Sequence, residues 1–198
     1  MTLLTRAIAF AAQAHEGMCR KGTDIPYIVH PMEAAAIAST ITDDECILAA
    51  AVLHDVMEDC GVCFDSLCAA FGERVAELVD NESHTPHPDM RASWLMRKQE
   101  TIGKIARAGR DSQIIALADK LSNMRAIHRD WRHEGEALFL RFNQHDKRLH
   151  AWYYRSCCAL LRDRLGDTDA WRELNALIED VFADAAPVCS PPIDGCAV

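Results

Sequence analysis

The sequence predicts an all-α fold, and three observations carry that expectation. Apolar residues recur every three or four positions through most of the chain, the period of a helix with one buried face. Glycines stand where those stretches stop, at Gly17, Gly61, Gly72 and Gly109, which suits a left-handed residue closing a helix. No segment shows the two-residue alternation of a half-buried strand.

Leu4, Ala7, Ile8, Ala11, Ala12 and His15 share one face of a first helix, closed by Gly17. Residues 18–27 are rich in charged and turn-forming types and read as a loop. Pro31 suits the first turn of a second helix, reaching about Ser39. Thr42 and Glu45 have capping-box spacing and start a third. Its run Cys46–Leu53 is apolar on every side, so this helix must be buried. It is expected to continue through Asp59 and stop at Gly61.

A short helix over Ser66–Phe71 is broken by Gly72, and Glu73–Asp80 is helical again. Ser83–Asp89, with two prolines and two histidines, reads as a loop. A helix over about Ser93–Ala108 ends at Gly109. Asp111 caps the next, which reaches about His128. Two or three further helices occupy Glu134–Ala185. One domain over residues 1–185 is expected, then a loose tail over 186–198 with three prolines and few large apolar groups.

At 198 residues, 49% hydrophobic and 26% charged, the chain can bury one sizeable core. A net charge of −9 without a basic stripe argues against nucleic acid or an anionic membrane as partner. No run approaches the ~18 apolar residues of a membrane span. Arg6 interrupts the short apolar start, so no secretory signal is expected. The nine cysteines are odd in number and irregularly spaced, which points to free thiols in the cytoplasm. Cys60 and Cys63 form a lone C-x-x-C with no second pair to complete a structural zinc site.

The chemistry concentrates where apolar runs end. His54 and Asp55 follow Cys46–Leu53, and Glu58 and Asp59 lie one turn further on, on the same face. Ionisable groups at the end of a buried helix are costly unless something pairs with them, and a cation is the simplest partner. Pro31 disfavours a helical backbone at His30, which places that ring at a loop-to-helix junction. Asp119 follows the apolar run Ile114–Ala118, with Asn123 four residues on. His30, His54, Asp55 and Asp119 thus compose an N2O2 donor set, suited to Mn, Fe, Zn or a similar ion. Taken singly, His30 also fits a packing role and Asp119 an ion pair with Lys120 or Arg125. Arg20 and Lys21 could clamp phosphates or simply be solvated. Trp94–Gln99, with Arg97 and Lys98, and Trp152-Tyr153-Tyr154-Arg155 read as core aromatics, with nucleotide contact, foremost by Tyr153, as the lesser alternative.

Together these motifs resemble the HD-domain phosphohydrolases, and more narrowly the hydrolase domain of the RelA/SpoT alarmone enzymes. The segments that carry the resemblance are Gly17-x-x-Arg20-Lys21, Tyr27-Ile28-x-His30-Pro31, His54-Asp55-x-x-Glu58-Asp59 and Ala118-Asp119-Lys120-Leu121-x-Asn123-Met124-Arg125. They occur in the family's order, over roughly residues 4–165. The resemblance implies a compact all-α HD fold around a single divalent site, with Mn2+ held by His30, His54, Asp55 and Asp119. It implies that Glu58 and Asp59 position or deprotonate the attacking water. It places Arg20, Lys21 and Asn123 against a small nucleotide, and implies removal of the 3′-pyrophosphate from ppGpp or pppGpp. Residues 81–89 and Ala126 depart from the long enzymes. Adenosine alarmones, NADPH or a nucleoside monophosphate are alternative substrates, and a catalytically silent nucleotide sensor is the alternative class. The oligomeric state is not legible in the sequence.

Overall fold

The computed structural model describes residues 1–83 and 89–188. The apolar segments around Val52 and Leu117 become the centre of the molecule, in α3 (Glu45–Leu53) and α8 (Arg110–Glu134). In α3 every residue from Ala49 to Leu53 is buried, and in α8 every residue from Ser112 to Ser122. A helix buried all round has no room for a polar face, which explains the apolar stretches Ala49–Leu53 and Ile114–Ala118 within these runs. α1 (Leu3–Ala14) and α2 (Val29–Ala38) pack against α3, and α2 also lies along α8. α4 (Val56–Cys60), α5 (Phe64–Phe71) and α6 (Glu73–Glu82) follow α3. α7 (Trp94–Arg107), α9 (Lys147–Leu165) and α10 (Asp169–Val181) complete the helices, with a 3-10 segment at Gly135–Arg141. The buried apolar side chains join into one cluster from Ala7 to Ala185. Among the described residues the sole β pairing is an isolated bridge between Cys19 and Pro26, so the all-α expectation holds.

Several boundaries differ from expectation, each for a local reason. The cap of α3 is Asp44, whose carboxylate accepts from the Cys46 N–H at 2.9 Å; Thr42 instead accepts from the Asp44 N–H. A carboxylate is the better partner for the positive end of a helix. The helix expected from Cys46 to Asp59 is two helices, interrupted at His54 and Asp55. Adjacent helical residues point about 100° apart, so the interruption lets these two neighbours face one pocket. Gly61, at φ 67°, closes α4 rather than α3.

His30 lies inside the first turn of α2, not before it. The turn bonds Val29 N–H to Pro26 O and His30 N–H to Tyr27 O set the helical path, and Pro31 sits where an N–H has no helical partner. Gly109, not Asp111, precedes α8. Asp111 lies in its first turn and pairs with Arg74. α8 runs on to Glu134, where His128 pairs with Asp180 of α10. The seven described cysteines are free thiols, and Cys63 caps α5. Most of the expected Ser83–Asp89 loop lies outside the described residues, as do Cys189, Cys196 and the tail from residue 189.

Candidate metal centre

His30 reaches the centre from α2, His54 and Asp55 from the break between α3 and α4, and Asp119 from α8. Both rings are 3% exposed. His30 Nε2 lies 3.5 Å from Asp55 Oδ2 and 3.2 Å from Asp119 Oδ1. His54 Nε2 lies 3.0 and 3.7 Å from the same two oxygens. Adjacent donors on one ion, each bonded at about 2.0–2.2 Å, stand roughly 2.8–3.6 Å apart. The four histidine–carboxylate distances are close to that spacing; His30, His54 and Asp55 form the group whose donor atoms all lie within reach of one ion, and Asp119 adjoins it through its contacts with the two rings.

Hydrogen bonds fix which nitrogen faces inward. His54 Nδ1 is 2.9 Å from the Ala51 carbonyl, which can only accept, so Nδ1 carries the proton. His30 Nδ1 is 2.8 Å from Ser122 Oγ, and Ser122 gives its single proton to Glu33 Oε2 at 2.7 Å. The hydroxyl therefore accepts from His30. On both rings Nε2 is left with a lone pair turned toward two carboxylates. His54 Nε2 is buried and makes no hydrogen bond; its approach to Asp55 lacks the alignment of one. Lone pairs facing carboxylates repel unless positive charge stands between them. Burial opposes a charged His54, yet Asp55 and Asp119 outweigh it and raise the ring's pKa well above its ordinary value, so without an ion a proton occupies Nε2 and a metal would take that proton's place. The donor set fits a divalent ion that accepts mixed nitrogen and oxygen ligands.

The surrounding residues orient the carboxylates. Tyr27 donates to Asp55 Oδ2 at 2.8 Å, and burial together with Asp55 keeps its phenol protonated. Asn123 donates to Asp119 Oδ1 at 2.5 Å and accepts from Arg20 at 2.6 Å. Lys120 pairs with the other Asp119 oxygen. Burial alone would raise both acids, but His54 for Asp55 and Lys120 for Asp119 reverse the sign and hold them ionised.

Glu58 and Asp59 line the same pocket, about 160 Å³ in volume, with Glu82, Arg97, Lys98 and Lys120. Desolvation in the pocket, reinforced by Asp55, raises the pKa of the half-buried Glu58 and of Asp59, which is less enclosed at its exposed position. Burial, reinforced by Lys120, lowers Lys98 to about 8. The Lys98 ammonium sits 4.5 Å over the Tyr153 ring. A second groove of about 300 Å³ adjoins this pocket and shares Arg20, Tyr27, His30 and Asn123 with it. Its apolar lining includes Ile25, Val29, Ile127, Leu138, Phe142 and Tyr154.

The structure thus brings together His30, His54, Asp55, Asp119, Glu58, Asp59, Arg20 and Asn123. Tyr153 is a buried wall of the metal pocket, while its neighbour Tyr154 lines the groove. Lys21 lies in the groove only, bonded to Asn143 at 2.7 Å. Sequence reasoning gives no role to Tyr27 or Glu82, and no place in the metal pocket to Lys98, read only within a cationic helix start, or to Lys120, read only as an ion-pair partner of Asp119. For Tyr27, Lys98 and Lys120 the signal was proximity: Tyr27 precedes His30 by one helical turn, Lys120 adjoins Asp119, and Lys98 lies in the cationic helix start already noted.

Fold and site together define an all-helical protein with a buried histidine–aspartate group able to hold a metal ion. The profile of the family described as "HD domain" matches residues 7–145, and the chain belongs to that family. It is 36% identical over 126 residues to a Vibrio cholerae protein named guanosine-3′,5′-bis(diphosphate) 3′-pyrophosphohydrolase, covering 63% of this chain and 18% of the relative. The first relatives found are therefore far longer proteins. It is 32% identical over 131 residues to the zebrafish (Danio rerio) protein of the same activity name, MESH1, covering 64% of this chain and 70% of that one. The solved structure of a metazoan SpoT orthologue, described as hydrolysing ppGpp, superposes with a TM-score of 0.67 over 95% of this chain and 98% of that one. At 24% identity it speaks for the fold. The lmo0812 protein of Listeria monocytogenes superposes at 0.68, with 25% identity over 78% of this chain and 99% of that one. The expected resemblance to this family is borne out.

Proposed function

We propose that the chain is a metal-dependent pyrophosphohydrolase that removes the 3′-pyrophosphate from ppGpp or pppGpp, giving pyrophosphate and GDP or GTP. The observation that carries this reading is one pocket holding four converging donors, a carboxylate pair with raised pKa values and the lysine Lys98. The activity named for the Vibrio and zebrafish relatives supports the choice of substrate.

Mn2+ held by His30, His54, Asp55 and Asp119 would polarise the phosphate and acidify a water. Glu58 and Asp59 stand beside that position, and their raised pKa values suit them to accept the water's proton. The water oxygen bonds to phosphorus as the bond from that phosphorus to the ribose 3′ oxygen breaks, and the leaving oxygen takes up a proton, replacing the one given to the carboxylate, to become the 3′-hydroxyl of GDP or GTP. Lys98, Arg97 and Arg20 offer positive charge to the phosphates, offsetting the chain's net charge of −9. The adjoining groove, apolar at Ile127, Phe142 and Tyr154, is placed to take the nucleoside. The free thiols of the described cysteines support a reducing cytoplasm as the setting.

The test is release of pyrophosphate by the purified chain with Mn2+ across ppGpp, pppGpp, pppApp, NADPH and GMP. Turnover is expected with the two guanosine alarmones. Turnover confined to another member of the panel would replace the substrate, and none at all would favour the silent sensor.

A further inference from the structure

We infer that Glu33 and Ser122 are positioning residues for the metal centre, setting the proton on His30, with Arg125 and Glu173 anchoring them. The inference rests on the metal reading above but not on the substrate. His30 and Glu33 are three residues apart on α2, and Asp119 and Ser122 three apart on α8. Each pair shares a helix face, and the two faces meet. Asp119 Oδ1 lies against His30 Nε2, and Ser122 Oγ lies 2.8 Å from His30 Nδ1. Ser122, 2% exposed, donates to Glu33 Oε2 at 2.7 Å. The other Glu33 oxygen accepts from Arg125 Nη1 at 3.1 Å. Arg125 in turn grips both oxygens of Glu173 on α10, at 2.6 and 2.7 Å.

The two histidines differ in how their proton is fixed. His54 donates to a backbone carbonyl of its own helix, which cannot reverse the bond. His30 faces a hydroxyl, which can either donate or accept. If Ser122 donated to Nδ1, the proton of a neutral His30 would move to Nε2 and block the ligand position. Glu33 prevents this by taking the only proton Ser122 has. Its own orientation is held by Arg125, a bidentate partner of Glu173. The chain Glu173–Arg125–Glu33–Ser122–His30 therefore keeps the Nε2 lone pair inward. Partners that orient a ligand histidine typically change metal affinity by 10–100-fold when removed.

The experiment measures Mn2+ affinity without nucleotide, by the electron paramagnetic resonance signal of free Mn2+, alongside the unfolding midpoint of the metal-free protein. Ser122→Ala and Glu33→Ala should each weaken Mn2+ binding about 10–100-fold, with midpoints within a few degrees of the parent. Ser122→Thr should retain near-parental affinity, because it keeps the hydroxyl. The double variant Ser122→Ala, Glu33→Ala should bind no more weakly than Ser122→Ala alone, because Glu33 acts through Ser122. Parental affinity in Ser122→Ala, additive losses in the double variant, or failure of threonine to retain binding would overturn the inference. If Ser122→Ala does not fold, Glu33→Ala, on a half-exposed side chain, decides by the same measurement. Absence of Mn2+ binding by the parent would overturn the metal reading itself, a result distinct from parental binding in the variants.

Discussion

Replacing Lys98 by methionine removes one charge from the metal pocket while keeping a stem of similar length and apolar character. The ammonium lies over Tyr153 at 4.5 Å, and among the described residues no carboxylate forms an ion pair with it. Burial and the neighbouring Lys120 hold its pKa near 8. A phosphate would supply the missing partner. A hydrogen bond to a charged group contributes about 1.5–3 kcal/mol, so Lys98→Met should raise KM roughly 10- to 150-fold.

The sign of the pH effect follows from the lowered pKa. Lys98 is charged below about pH 8 and neutral above it. In the parent, kcat/KM for pyrophosphate release should therefore fall as pH rises through about 8, since that ratio reports groups of the free enzyme. Lys98→Arg stays charged across this range, so it should lose that alkaline limb while retaining activity. Initial rates from pH 6 to 10 decide the matter. A parental KM in Lys98→Met, or an unchanged alkaline limb in Lys98→Arg, would refute the reasoning.

Other expectations are independent of Lys98. Glu58→Gln and Asp59→Asn should each lower kcat about 10²–10⁴-fold with Mn2+ affinity kept; parental turnover in both would remove the pair from catalysis. Arg20→Ala should weaken substrate binding more than Lys21→Ala, because Arg20 borders both pockets and Lys21 only the groove; equal KM effects would contradict this. Leu53, fully buried at the end of α3, should cost about 2–5 kcal/mol as alanine. That corresponds to a fall of roughly 5–20 °C in the thermal midpoint, and a shift below 2 °C would show the site is not tightly packed.

The proposed donor residues are legible because each follows an apolar run or a rigid turn. Burial of Cys46–Leu53 and Ile114–Ala118 follows from composition alone, and a buried helix ending in acids and histidines advertises its chemistry. The break at His54 and Asp55 was not legible, because nothing in Leu53-His54-Asp55-Val56 stops a helix by propensity. Nor was the bond from Tyr27 to Asp55, which spans 28 residues. His30 and Ser122 are 92 residues apart, and only the packing of α2 on α8 makes them neighbours. Sequence periodicity reports which face is buried, not which residue of another helix it meets. The Asp119–Lys120 ion pair was weighed as the plain alternative to a ligand role. In the structure Lys120 takes Oδ2 while Oδ1 faces the two rings, so the ion pair leaves one oxygen free for the proposed ligand role.

The central claim is that His30, His54, Asp55 and Asp119 hold one ion. Anomalous diffraction from crystals grown with Mn2+, recorded on both sides of the manganese edge, tests it most directly. The account predicts a single strong peak about 2.0–2.2 Å from His30 Nε2, His54 Nε2, Asp55 Oδ2 and Asp119 Oδ1. A peak ligated instead by Glu58 and Asp59, or no peak within reach of the two imidazoles, would contradict it.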